Sequence, residues 1–254
     1  MALRGETGKA RYTEAEWQAR VELAACYRIA DHFGFSDIVW GHITAKVPGT
    51  GRFLINRFGL CFDEVTASNL VTVDIDGNVI DPGNAETEEP VNRTGFVIHS
   101  AIHAARPDVH CIMHVHTDAG MAVAALEEGL LPTVIDAMPF FNRVASHPFE
   151  GLSVDTDERK RLAASLGDRN AMILRNHGLL TCGATVGEAF MGFYYLERAC
   201  DVQLRALATG RALNLPPAEV CERAAKQSEA FAHGRYEWPA LLRLAERLDP
   251  GFRQ

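Results

Sequence analysis

The chain has 254 residues, 47% of them hydrophobic, and a formal net charge of −8 at pH 7. That length allows one large domain or two small ones, with enough apolar residues for a sizeable core. The acidic balance argues against a nucleic-acid-binding surface, although it leaves room for a local basic pocket that takes a small anion. No apolar run approaches the roughly 20 residues needed to span a bilayer, and residues 1–6 (MALRGE) lack the apolar core of a secretion signal. Cys26, Cys61, Cys111, Cys182, Cys200 and Cys221 are scattered singly with no C-x-x-C pair, so they read as reduced core thiols of a cytoplasmic protein.

Thr13-Glu14-Ala15-Glu16 is a capping-box start. The helix behind it carries Leu23, Tyr27, Ala30 and Phe33 at helical spacing, and Gly34 can end it. Residues 35–48 read as a turn leading into a short strand, and Arg52 to Ile55 as another. Leu70 to Ile75 alternates, Asp76-Gly77-Asn78 turns and Val79-Ile80 returns, which predicts a hairpin. Residues 81–94 form an acidic loop containing proline and glycine. A helix over Phe96–Ala105 is stopped by Arg106-Pro107, and His110 to His116 is a strand. Thr117 can cap a helix through Leu126. Residues 157–166 are helical, and strands at Ala171–Leu174 and Leu179–Cys182 flank an Asn-His-Gly turn. Thr185 to Glu188 is a second capping box, opening a long amphipathic helix that Gly210 ends. Pro216 begins a further helix, and residues 236–248 are a helical tail. Strands interleave with helices, but the hairpin implies antiparallel pairing. A mixed α/β domain with helices on both sheet faces fits better than a doubly wound parallel fold.

Within the fifth predicted strand, side chains two apart share a face. His110, Ile112, His114 and His116 therefore lie on one side, and Cys111, Met113 and Val115 on the other. Three histidines on one strand face are costly to bury unless something binds them. His177, in a turn between two apolar strands, is a natural third ligand. Three imidazoles with a vacant position suit Lewis-acid chemistry. Ordinary packing of the histidines is the competing reading.

Gly41-His42-Ile43-Thr44, Ile75-Asp76-Gly77, Ala105-Arg106-Pro107-Asp108-Val109, His114-Val115-His116 and Asn176-His177-Gly178-Leu179-Leu180 occur in that order, followed by the helix through Leu196-Glu197-Arg198-Ala199-Cys200. This arrangement resembles the class II aldolase/adducin family over roughly residues 15–210. The resemblance implies a three-layer α/β/α sandwich around a mostly antiparallel sheet. It implies one such domain over residues 1–254, with a core at about 13–210 and a helical tail at 211–254. It further implies a divalent metal on His114, His116 and His177, with zinc expected and manganese or iron as alternatives. A homotetramer with active sites between subunits is implied as well.

The chain also departs from the family's sugar-phosphate aldolases. Their Ser-Ser-Glu segment, which holds phosphate and supplies the acid/base, corresponds here to Arg93-Thr94-Gly95. Their phosphate-binding Gly-Asn corresponds to Gly41-His42. The later glycine of the phosphate pocket is kept as Gly59, with Arg57 nearby where the aldolases carry small residues. Arg57 and Arg93 have two readings. One is surface ion pairing, and the other is a clamp for a carboxylate, which a guanidinium fork holds in a bidentate manner. His42 is expected in the substrate pocket, with Gly41 letting a ligand approach the backbone. His99 and His103 read as helix-surface residues, with an alternative role behind the metal ligands. Glu88 and Glu89 read as solvated loop charges rather than a substitute base. Tyr236 and Trp238 resemble the family's C-terminal aromatic segment that can reach a neighbour's site, against the alternative of tail packing.

The expected function is a metal-dependent lyase cleaving a C–C bond of a small hydroxy or oxo carboxylic acid. Arg57, Arg93, Thr94, Gly41, His42 and Gly59 would bind the substrate, and His42 and Tyr236 are the catalytic candidates. Without a glutamate at position 95, decarboxylation is favoured over retro-aldol cleavage. An iron(II) oxygenase and a non-catalytic adducin-like interaction protein are the rival readings.

Overall fold

A computed structural model describes residues 8–83, 91–151, 158–231 and 233–254. Among the described residues, eight strands form one mixed sheet: β1 (His42–Lys46), β2 (Arg52–Ile55), β3 (Val71–Asp74), β4 (Val79–Asp81), β5 (Cys111–Val115), β6 (Val144–His147), β7 (Ala171–Leu174) and β8 (Gly178–Gly183). Their order is β4-β3-β2-β1-β5-β8-β7-β6. Every pairing is antiparallel except that of β6 with β7.

Alternation along β5 sorts the two faces of the sheet. Cys111, Met113 and Val115 join a core with α1 (Glu14–His32), α3 (Asp118–Ala125) and α5 (Val186–Leu207). Ile112 joins a second core with Ile98 and Ile102 of α2 (Arg93–Ala105) and Leu162 and Leu166 of α4 (Glu158–Leu166). The result is a three-layer α/β/α sandwich, and His114 lies on the α2 side of the sheet.

The helix boundaries follow local chemistry. Thr13 Oγ1 accepts from Glu16 N at 3.2 Å and opens α1. Gly34, at φ 74°, closes it while Phe35 N donates back to Ala30 O at 2.9 Å. Helix α2 starts three residues earlier than its apolar periodicity predicts, because Asn92 Oδ1 accepts from Thr94 N at 3.1 Å. Thr94 and Gly95 thus belong to its first turn. Asp157, expected in α4, lies outside the described residues, as do Glu88 and Glu89.

Strand β6 is absent from the sequence expectations. It is four residues long, sits at the sheet edge, and follows a 3-10 turn (Ile135–Phe140) that contains Pro139. Its return to β7 passes through α4, a βαβ crossover that produces the one parallel pair.

The C-terminal segment packs back on the sandwich. Helix α6 (Ala218–Glu229) lies against the Ile135–Phe140 turn, and α7 (Glu237–Leu248) against α1 and α5. Trp238 sits on Gly187, where a Cβ would come within 2.7 Å of the indole. Ala67 N and Ser68 N donate to the carbonyls of Phe252 and Gln254. All six cysteines are free thiols and all but Cys61 are buried. No helix among the described residues is long and apolar enough to cross a membrane.

Candidate metal centre

At one end of the sheet, β5 ends beside the start of β8, with Val115 opposite Leu179. The β7–β8 hairpin turns there through Asn176, which adopts φ 55°. Asparagine tolerates this left-handed conformation better than most side chains. The turn aims His177 back at β5. The close approach favours glycine at 178, since a Cβ there would meet Val115 O at 3.0 Å and His116 Cδ2 at 3.3 Å.

Three imidazoles converge as a result. His116 Nε2 lies 3.1 Å from His114 Nε2 and 3.0 Å from His177 Nε2. The other ring nitrogens decide what these contacts mean. His114 Nδ1–H donates to the Leu179 carbonyl at 2.8 Å, and His116 Nδ1–H donates to Asp37 Oδ2 at 2.9 Å. A neutral imidazole with its proton on Nδ1 presents a bare lone pair at Nε2. Burial holds His114 well below the usual histidine range and lowers His177 to about 4. Two lone pairs facing each other at this distance repel unless a cation lies between them. Nitrogen ligands at about 2.0–2.1 Å from a tetrahedral zinc lie about 3.3 Å apart. The observed spacing is only slightly tighter, so donor type, protonation and distance all fit a divalent metal.

Asp37 holds His116 as a carboxylate behind a metal-binding histidine does, fixing both tautomer and ring orientation. It sits in the loop after α1, beside Ile38 at φ 46°. That conformation is unusual for a β-branched side chain. Thr117, which follows His116, caps α3 and donates to the half-buried Glu197 carboxylate of α5. Burial raises the pKa of Glu197. No sequence pattern points to Asp37, which is 79 residues from its partner.

His42 lies opposite His114 in the β1–β5 ladder, with ring centroids 5.0 Å apart. It is buried, and its Nε2 edge turns toward Gly95, where a Cβ would meet Cδ2 at 2.5 Å and Nε2 at 2.8 Å. Two further histidines stand behind it. His42 Nδ1 is 2.8 Å from His99 Nε2, and Thr44 Oγ1 is 2.7 Å from His99 Nδ1 and 2.8 Å from His103 Nε2. The surface reading of His99 and His103 is therefore wrong. Both are buried against β1, because α2 packs its polar i, i+4 pair on His42 and Thr44 while Ile98 and Ile102 serve the adjacent core. Burial lowers His42 and His99 well below the ordinary range and His103 to about 3.

Other expected residues are placed as follows. Gly41 serves packing rather than ligand approach, since a Cβ there would come within 2.7 Å of Phe62 and 2.8 Å of Val115. Arg57 and Gly59 follow β2 at the same sheet end, with Arg57 half-buried and Gly59 exposed at φ 90°. Arg93 is exposed in the first turn of α2. Thr94 Oγ1 donates to Asn92 Oδ1 at 2.8 Å. Tyr236 is 77% exposed and does not join the site within the chain. It precedes α7, whose Trp238 rests on Gly187 beyond the far end of β8, whereas His177 precedes the near end. A second cluster, His147, Glu150 and Glu158, joins the end of β6 to the start of α4. There the Arg161 guanidinium already neutralises Glu150 at 2.5 Å.

With fold and geometry in place, known proteins give the chain its context. Residues 21–204 match the Class II Aldolase and Adducin N-terminal domain. The chain belongs to that family. Among class II aldolase/adducin relatives, a Caulobacter vibrioides protein named only by its likeness to class 2 aldolases is 44% identical over 96% of this chain and 95% of its own. Rat alpha-adducin is 39% identical over 97% of this chain, which spans 35% of that longer protein. An aldolase II superfamily protein from Pseudomonas syringae superposes with a TM-score of 0.91 at 46% identity, covering 97% of this chain and 99% of that one. An L-fuculose 1-phosphate aldolase from Glaciozyma antarctica gives 0.84 at 32% identity, covering 100% and 97%.

Proposed function

We propose that this class II aldolase/adducin protein is a divalent-metal-dependent lyase that cleaves a C–C bond of a small hydroxy or oxo carboxylic acid, by decarboxylation or retro-aldol reaction. The observation that carries the proposal is the convergence of three imidazole Nε2 atoms, two of them left bare by Nδ1–H bonds to Leu179 O and Asp37. A divalent cation bound there supplies Lewis-acid stabilisation of the negative charge that bond cleavage leaves on oxygen. Zinc suits the imidazole set, with manganese and iron as alternatives.

The chain's own residues divide the remaining work. His114, His116 and His177 hold the metal. Arg57 and Arg93, at the same sheet end, receive the substrate carboxylate, with Thr94, Gly59 and His42 at the same end. His42 stands where a side chain at position 95 would reach and exchanges the proton in place of a glutamate. Ile38, Trp40 and Phe149 are exposed on this side. Their exposure fits covering by a second copy in a homotetramer, in which a neighbour's Tyr236 would complete the site.

The test begins with metal-free protein. Zinc, manganese and iron(II) are added separately, bound metal per chain is measured, and hydroxy and oxo acids are assayed for carbon dioxide and aldehyde release. One equivalent of metal with either product supports the lyase. Oxygen consumption with iron alone would move the assignment to an oxygenase. The likeness to alpha-adducin across the whole chain favours a second reading, a non-catalytic interaction module. Absence of any metal binding would establish that reading instead.

A further inference from the structure

The hydrogen bonds from His42 through His99 and Thr44 to His103 form an unbroken chain of four side chains, all buried between β1 and α2. Of the four, His42 is the one in ring contact with a metal-binding histidine, and packing alone does not call for three imidazoles in one line. Every link joins a group able to donate and to accept. One direction of proton ordering therefore propagates from end to end. His103 Nδ1 lies close to the Val109 backbone but makes no hydrogen bond of acceptable geometry. A proton at that position is favoured by the neighbouring backbone. His103 Nε2 then accepts from the Thr44 hydroxyl, Thr44 Oγ1 accepts from His99 Nδ1–H, and His99 Nε2 accepts from His42 Nδ1–H. The last consequence is a bare Nε2 on His42, facing the gap that Gly95 leaves open.

We infer that Thr44, His99 and His103 are positioning residues that set the tautomer of His42. The inference rests on the proposed lyase reading for its use, but not for its structure. With its Nδ1 committed to His99, His42 keeps a lone pair at Nε2 toward the gap at Gly95, where a proton acceptor would serve in place of the glutamate that position 95 lacks. The far end of the line is closed, because His103 Nδ1 is buried from solvent. The line therefore orders protons and does not exchange them with water.

The test uses the full-length protein labelled with 15N-histidine and reads side-chain tautomers by NMR. In the wild type at pH 7, His42 should be neutral with its proton on Nδ1. Thr44→Val removes the hydroxyl that links His99 to His103. The proton on His42, a residue that position 44 reaches only through His99, should then move toward Nε2. The tautomer ratio should change by about fivefold, the factor that one net hydrogen bond of ordinary strength supplies. Thr44→Ser, which keeps the hydroxyl, should restore the wild-type ratio. His103→Gln, at the far end, should also shift His42, and it decides the matter if Thr44→Val fails to fold. A His42 tautomer unmoved by both substitutions overturns the inference. Zinc binding by the same variants is measured separately. Failure of the metal reading would appear there as absent binding in the wild type, with the tautomer result still standing.

Discussion

The imidazole of His42 occupies the space that any side chain at position 95 would need. A Cβ on Gly95 would stand 2.5 Å from His42 Cδ2, inside any tolerable contact. Histidine at 42 and glycine at 95 are therefore one linked change. Gly95→Glu should destabilise the protein by about 1–3 kcal/mol through overpacking, despite the better helix propensity of glutamate. Combining it with His42→Asn should recover most of that loss. Urea unfolding of both single variants and the double variant checks this, and simple additivity would show that the two positions are independent.

His116→Ala should abolish stoichiometric zinc binding while leaving the far-ultraviolet circular dichroism unchanged. Asp37→Asn should weaken zinc by about 10–100-fold, as loss of a carboxylate behind a ligand histidine does. Competition with a chromophoric chelator measures both. Equal affinity in Asp37→Asn and the wild type would remove Asp37 from the site.

The buried histidines make stability depend on pH. The pKa of His103 falls from 6.5 to about 3 on burial, so the unfolded chain binds a proton that the folded one refuses. Its contribution is fully present above pH 6.5 and is lost as the pH falls toward 3. Within that window each such histidine contributes a slope of about 1.4 kcal/mol per pH unit. His42 and His99 shift in the same direction. Urea midpoints of the metal-free protein should therefore drop steeply below pH 6.5. A Thr44→Val protein that folds should keep this slope, since burial causes it.

Ile38 has a β-branched side chain at φ 46°. Ile38→Asn should raise stability by about 1 kcal/mol, because asparagine accepts this conformation at lower cost. Thermal unfolding reads the change. A lower midpoint would mean that the exposed isoleucine is held by something other than its own chain.

If Arg57 and Arg93 clamp a carboxylate, oxalate should bind the zinc-loaded protein, and Arg57→Gln should weaken it by about 10–100-fold, the loss expected of a charge-assisted pair. Titration calorimetry measures this. An unchanged affinity in both Arg57→Gln and Arg93→Gln would reduce them to surface ion pairing.

Much of the fold was legible because α1 and α5 carry strong caps and β5 alternates cleanly. The histidine triad was legible because two of its members share a strand face and the third sits in a recognisable turn. Other features lay beyond local pattern. His99 and His103 look like a polar helix face, since nothing on α2 reveals that β1 presents His42 and Thr44 to it. Strand β6 is too short, and too close to proline, to stand out by alternation. The role of Gly41 depends on Phe62 and Val115, which only tertiary structure brings to it. Asp37 meets His116 across two elements with no shared motif.

The triad consists of neutral donors. A divalent cation on three imidazoles keeps its full double charge, of which the Asp37 carboxylate offsets half. A chain of net charge −8 thus acquires a positive focus at one end of its sheet when loaded. Small anions are drawn to that point while the remaining surface repels them, so selection by charge begins before any side chain touches the substrate.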